Sequence, residues 1–218
     1  MGSIIGFIGI PGSGKSTQIE ILKAKLSGKT VLASIPAMVK NKRGFHKFLT
    51  QADIIKLNQF HYKTDASREK GELAPIELDE LLFEVCLKRI FNEKTNIILD
   101  GMPRGIKQAE IFWEMAQSSH KSNFFLAHLV FPENQAANSF HRQYLRAVEN
   151  KGLLQAYSEL DKFRTKIKVY EGDTMAACRF LQDKAIGYFE VDCSDTKTQV
   201  AKNIFENFSR LQKQTSVS

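Results

Sequence analysis

The segment that most constrains this chain is Gly9-Ile-Pro-Gly-Ser-Gly-Lys-Ser16. A GxxxxGK[ST] loop curls its backbone N–H groups around an anion, and such tight curling needs glycine at Gly9, Gly12 and Gly14. The context fits. Ile4 to Ile8 is a short apolar run, read as a buried strand, and Lys15 to about Leu26 carries Ile19, Leu22 and Leu26 on one helical face. The helix adds the positive end of its dipole to the loop. Gly12, Ser13, Gly14, Lys15, Ser16 and Thr17 are therefore expected to wrap the phosphates of a nucleoside triphosphate. Lys15 would bridge the outer phosphates, and the Ser16 hydroxyl would ligate Mg²⁺.

The rest of the sequence continues the alternation of strand and helix. Thr30 to Ala33, Asn96 to Leu99, Phe124 to Phe131 and Ile186 to Val191 read as four further strands. Gly28 is read as ending the first helix, and Pro75 as opening one that runs to Ile90. Gln108 to Gln117 reads as a helix. A last helix, capped by Ser194 or Asp195, turns Val200, Ile204, Phe208 and Leu211 to the core. This order predicts an α/β fold, a doubly wound five-stranded parallel sheet with helices on both faces. The 218 residues, 43% hydrophobic, suit one domain over residues 1–218.

Composition removes several alternatives. No apolar run approaches the roughly 20 residues of a bilayer span. The apolar start runs directly into the glycine loop and is read as a strand, not a signal peptide, and Gly6 stands where a myristoylation signal wants Ser or Thr. Cys86, Cys178 and Cys193 lie far apart, without metal-ligand spacing, and are read as free thiols in a reducing cytosol. The net charge of +7 is spread along the whole chain, so it is read as serving polyphosphate ligands rather than nucleic acid. The five histidines form no triad or metal spacing, and Trp113 with Ile111, Phe112 and Met115 reads as helix core.

A second motif follows the third strand: Asp100-Gly-Met-Pro-Arg104-Gly-Ile-Lys-Gln108-Ala-Glu. A carboxylate at a strand end beside the glycine loop can hold the Mg²⁺ shell, as Asp100 would. Gly101 and Pro103 force a turn that aims Arg104 into the cleft at the carboxyl ends of the strands, where a guanidinium grips a second phosphate bidentately. Gln108 lies one helical turn further on and can face the same pocket.

With these segments the chain resembles the adenylate kinase family of nucleoside monophosphate kinases. GIPGSGKSTQ is similar to that family's phosphate loop, and ILDGMPRGIKQAE to its DGFPRTxxQAE segment. Gly71-Glu-Leu-Ala-Pro75 is similar to GxLVPD, and Arg164 to Phe189 resembles the carboxyl-terminal part. The resemblance implies transfer of a phosphoryl group from ATP–Mg²⁺ to a nucleoside monophosphate by a cytoplasmic monomer. It further implies that Lys15 stabilises the transferring group and Arg104 holds the monophosphate, beside Gly101. Gln108 would hydrogen-bond its base, favouring AMP, and Leu73 and Pro75 would line its pocket. Two inserted segments are implied, a monophosphate-binding part at 34–73 and a lid at 133–166.

The chain also departs from the family. Where the family has Thr-Gly-Asp-x-x-Arg, it reads Ser34-Ile-Pro-Ala-Met-Val-Lys40; Ser34 fits, and Lys40 or Arg43 stands in for the arginine. The family's Arg-x-Asp-Asp lid motif falls near Gln155 to Ser158, which reads QAYS. The expected lid cations are then Arg142, Arg146, Arg164 and Lys166. The lid has neither the length nor the cysteines for a zinc site. These departures leave two other readings. One is a kinase with another acceptor, such as CMP, UMP or a non-nucleotide. The other is a nucleotide-dependent regulatory protein whose transfer activity has decayed.

Overall fold

A computed structural model describes residues 2–40, 45–91, 94–118, 124–184 and 187–215. Five strands form one sheet: β1 (Ile4–Gly9), β2 (Lys29–Ala33), β3 (Thr95–Asp100), β4 (Phe124–Val130) and β5 (Gly187–Asp192). Their spatial order is β2-β3-β1-β4-β5 and every pairing is parallel. Central β1 sets Ile4 opposite both Ile97 and Phe124 and is buried along its whole length. That explains its unbroken apolar run, because helices cover both faces of the sheet.

Two apolar layers result. On one face α1 (Lys15–Lys25) and α10 (Lys197–Thr215) bury Ile19, Leu22, Ile204 and Phe208 against Phe7, Ile98 and Phe125. On the other, α4 (Ile76–Phe83), α5 (Ile106–Ser118) and α9 (Met175–Asp183) pack Leu82, Phe112 and Leu181 against Ile4, Ile97 and Phe124. Phe112 stands edge-on to Phe83 and Phe124 with ring centroids 6.0 and 5.4 Å away. Trp113 and Ile111 are half-buried beside this cluster, as expected of helix core.

From β1 the chain crosses to β2 at the edge, returns to β3 beside β1, and then crosses to β4 on the other side of β1. The carboxyl ends of β1 and β3 therefore open on a shared crevice, the position where sheets of this kind hold ligands. The segment after β2 forms α2 (Ile35–Val39) and α3 (Gln51–Lys70). The start of α3 is fixed by a capping box: the Thr50 hydroxyl accepts from Asp53 N–H at 3.2 Å, and the Asp53 carboxylate accepts from Thr50 N–H at 2.7 Å. Gly71, at φ 81°, ends it in the left-handed region. The segment after β4 is helical throughout: α6 (Gln135–Lys151), α7 (Leu153–Ser158), α8 (Leu160–Val169), a π turn at Tyr170–Thr174, then α9.

Two local expectations are corrected. The first helix stops at Lys25, with Leu26 already extended, so Gly28 serves the turn into β2 rather than the helix end. The last helix is capped by Thr196, whose hydroxyl accepts from Gln199 N–H at 3.3 Å, and not by Ser194 or Asp195. Ser194 instead donates its N–H to Asp192 at 2.8 Å. Among the described residues no helix is long and apolar enough to cross a membrane.

Candidate active site

The glycine loop turns tightly between β1 and α1. Ser13 N–H donates to the Ile10 carbonyl at 3.1 Å, and Gly12 and Gly14 sit at φ 82° and 89°. A side chain at Gly12 would press within 3.2 Å of the Ser139 carbonyl and 3.3 Å of Arg142 Cβ, because α6 lies directly over the loop. The Ser139 hydroxyl fastens that contact by donating to the Pro11 carbonyl at 2.6 Å. Lys15 folds back over the loop, its Nζ donating to the carbonyls of Gly9 at 2.7 Å and Ile10 at 3.1 Å. Burial lowers its pKa to about 8; the nearby charges of Arg104 and Lys166 act in the same direction, against the pull of Asp100. Ser16 and Thr17 are exposed on the first turn of α1, whereas Ser13 is buried.

The loop after β3 brings up the opposing charge. Gly101, at φ 69°, lets the Arg104 side chain curl back so that its Nε donates to the Gly101 carbonyl; a Cβ there would strike the guanidinium. The Arg104 backbone is held at both ends, its N–H donating to Gln108 Oε1 at 2.6 Å and its carbonyl accepting from the Thr174 hydroxyl at 3.0 Å. Surrounding protein depresses the guanidinium pKa, against the pull of Asp100 and Asp79. The side chain nevertheless stays open to solvent inside the cleft, and a guanidinium that water reaches remains charged.

Lys15, Gly101 and Arg104 line one cleft of about 300 Å³, together with Leu73, Arg68 and Lys166. A smaller cavity of about 80 Å³ adjoins it, sharing Arg104, Arg68 and Leu73 and adding Asp100, Gln108, Asp79 and Thr64. The inserted segments meet at the rim, where a side chain on Gly71 would lie 3.0 Å from the Lys162 carbonyl and 3.1 Å from Lys166 Cγ. Lys166 is half-buried there, and burial together with neighbouring Lys162 lowers its pKa. Behind it, Tyr170 of the π turn walls the cleft and is tied to buried His128, whose Nε2 lies 2.7 Å from the phenol oxygen. Burial lowers His128 to about 4 and keeps it neutral.

Not every expected residue reaches this cleft. Ser34 caps α2, its hydroxyl accepting from Ala37 N–H at 3.2 Å, and Lys40 is exposed at the far end of that helix. Neither lines the cleft or its smaller neighbour, and the alternative Arg43 lies outside the described residues. Pro75 caps α4, and its neighbour Ala74 lines the smaller cavity instead. Arg142 lies against Gly12, stacked over Phe131 at 4.7 Å and donating to the Cys193 carbonyl at 3.2 Å. Arg146 and Arg164 are exposed on outer helix faces, Arg164 paired with Asp161 at 2.8 Å. Neither lines the cleft, and the Arg164 guanidinium lies over the Phe140 ring at 6.0 Å, where α6 and α8 pack Phe140, Ala147 and Phe163 together.

Two cleft residues were missed in the sequence. Arg68 sits in the last turn of α3, three positions before Gly71, and its closeness to the Gly71-Glu-Leu segment was the available signal. Asp79 stands among Leu78, Leu81 and Leu82 and is 1% exposed. An acid on a core-facing helix stripe is informative because buried carboxylates are rare unless paired. Gln108, also buried, is engaged at both ends of its amide, by Arg104 N–H and by the Asp79 carboxylate.

Ser16 and Asp100 offer a hydroxyl and a carboxylate, hard oxygen donors that suit Mg²⁺ once phosphate oxygens and water complete its shell. Among the described residues there is no cluster of three His, Cys, Asp or Glu side chains of the kind that cages a metal alone.

No family model matches the chain. Curated proteins do. It is 32% identical over 122 residues to the adenylate kinase of Orientia tsutsugamushi strain Ikeda, a match covering 56% of this chain and 50% of the relative. It is 30% identical over 131 residues to that of Dehalococcoides mccartyi, covering 59% and 53%. The chain therefore spans about half the length of these relatives. The adenylate kinase of Elusimicrobium minutum matches from end to end, at 22% identity over 95% of this chain and 99% of the relative.

Proposed function

We propose that this chain, which is similar to adenylate kinases at 22–32% identity, transfers the terminal phosphoryl group of ATP–Mg²⁺ to a nucleoside monophosphate, with AMP as an acceptor. The observation that carries the reading is the convergence of Lys15, Arg104 and Lys166 on one cleft beside a smaller, partly apolar cavity. Two anions must be brought into line for phosphoryl transfer, and their mutual repulsion is the main obstacle.

In this reading the loop N–H groups from Gly12 to Thr17 hold the donor phosphates. Lys15 leaves the Gly9 and Ile10 carbonyls for the outer phosphates, where charge develops in the transition state. Ser16 and Asp100 would hold Mg²⁺, which would supply positive charge to neutralise phosphate oxygens. Arg104 grips the acceptor phosphate, with Arg68 lining the same cleft, and Lys166 approaches from the lid side. Leu73 and Gln108 receive the base. Water must be excluded, or ATP is hydrolysed instead. The segments 34–73 and 133–166, which meet at Gly71, are the parts suited to close the site.

A second reading, nucleotide binding with decayed transfer, is favoured by one observation: neither Arg146 nor Arg164 lines the cleft. Incubation of ATP–Mg²⁺ with AMP separates the two. ADP formation supports the kinase, and binding of both nucleotides without ADP supports the alternative.

A further inference from the structure

Asp79 has no assigned part in phosphoryl transfer, yet its position is chemically unusual. It sits on α4 between leucines that pack into the core, and its carboxyl faces the smaller cavity beside Gln108, Thr64 and Met102. Its Oδ2 accepts from Gln108 Nε2. Among the described residues Gln108 is its hydrogen-bond partner, and Arg104 acts on the carboxylate through space rather than by a direct ion pair, which leaves Oδ1 open to the cavity. A buried carboxylate left in this state is unfavourable unless it is protonated or finds donors on a ligand. Thr64 offers it none, since its hydroxyl already donates to the Phe60 carbonyl at 2.9 Å.

Resting on the kinase reading above, we propose that Asp79 is a specificity-determining residue of the acceptor pocket, and that it makes GMP an acceptor alongside AMP. Guanine presents an imino N–H and an adjacent amino group in parallel, and an ionised carboxylate accepts from both. Adenine presents an amino donor beside a ring nitrogen acceptor, so it pairs with the protonated carboxyl, which donates to the ring nitrogen and accepts from the amino group. Guanine alone offers two adjacent donors; cytosine repeats adenine's amino donor beside a ring nitrogen acceptor, so the ionised carboxylate sets GMP apart from AMP, CMP and UMP alike. Gln108, already hydrogen-bonded to Asp79, acts with it as one polar edge rather than as a lone reader of adenine.

The protonation state of Asp79 fits a dual acceptor. Burial raises its pKa to about 7, and Arg104 opposes that shift while Glu80 reinforces it. Arg68 and Glu72 from the end of α3 and Asp100 from β3 are the other charged groups lining the same cavity. Both forms of the carboxyl are therefore present near neutral pH.

The test measures kcat/KM for AMP, GMP, CMP and UMP with ATP–Mg²⁺, in the wild type and in Asp79→Asn. Asparagine keeps the size but replaces one acceptor oxygen by a donor. Direct calorimetric titration with GMP and AMP supplies a readout that needs no turnover. The expected result is GMP within about tenfold of AMP in the wild type, with the GMP-to-AMP ratio falling at least about tenfold in Asp79→Asn. That ratio should also rise in the wild type from about pH 6 to about pH 8, as the carboxyl ionises. Because it is a ratio, a general loss of fold or rate does not move it. GMP poorer than AMP by more than about tenfold, or a ratio unmoved by Asp79→Asn, overturns the proposal. If neither nucleotide is phosphorylated, the kinase reading fails, and the ratio of the two binding constants decides the role of Asp79.

Discussion

The glycine loop and the lid segment both carry cations toward one cleft, and they differ in how those cations are placed. In the loop, placement is local. Glycines at fixed offsets set the backbone, and Lys15 follows within a few residues of β1. In the lid, placement depends on which faces of α6 and α8 pack together. Of its four candidate cations, Lys166 lines the cleft, Arg142 lies beside Gly12, and Arg146 and Arg164 are exposed. Chemistry set by a short backbone motif can be read from spacing. Chemistry set by helix packing needs the packing itself.

The largest effect should come from Lys15→Ala. Removal of a preorganised charge at the transition state costs roughly 3–4 kcal/mol, or about two to three orders of magnitude in kcat. Circular dichroism should show the fold intact, because Lys15 faces the loop carbonyls and not the core. Near-normal turnover would place the reacting phosphate elsewhere.

Arg104→Ala should follow, lowering kcat/KM for the monophosphate by roughly a hundredfold through loss of a charge-assisted, bidentate grip. Binding of ATP, measured by titration, should change little. Equal weakening of donor and acceptor would mean that Arg104 serves both.

Within the lid the contrast becomes sharper. Lys166→Ala should lower kcat by about tenfold, whereas Arg146→Ala and Arg164→Ala should each change it less than about twofold, as expected for exposed surface charges. A large loss in either arginine variant would show that the lid re-presents those faces during turnover, and would break the comparison.

The smallest effect concerns pH. A lysine with a lowered pKa is charged below that value and neutral above it. For Lys15 the value is about 8, so kcat/KM for ATP should fall as pH rises through this range. Since kcat/KM reports the free protein, the fall should be shallower in kcat, where bound phosphates favour the charged lysine. A flat profile up to about pH 10 would contradict the crowded setting of Lys15.

Much of the fold was legible in the sequence. The five strands and the crevice between β1 and β3 follow from apolar runs bounded by glycine, proline and helix starts, with every strand within a residue or two of its expected span. The tight glycine loop and the turn that brings Arg104 to the cleft were legible for the same local reason. The capping role of Ser34, whose hydroxyl accepts from Ala37 N–H at 3.2 Å, was not legible because a hydroxyl before a short helix reads equally well as a cap or a ligand. Arg68 and Asp79 escaped notice because they reach the cleft and its smaller neighbour through the packing of α3 against α2, α4 and α8 and of α4 against α5, which no spacing rule encodes.

The most direct test of the central claim follows the terminal phosphoryl group of ATP. With ATP labelled there, Mg²⁺ and AMP, the label should appear in ADP formed from AMP, one ATP and one AMP giving two ADP, and the transfer should disappear in Lys15→Ala. Label released only as inorganic phosphate, or retained in ATP while both nucleotides are bound, would contradict phosphoryl transfer in this cleft.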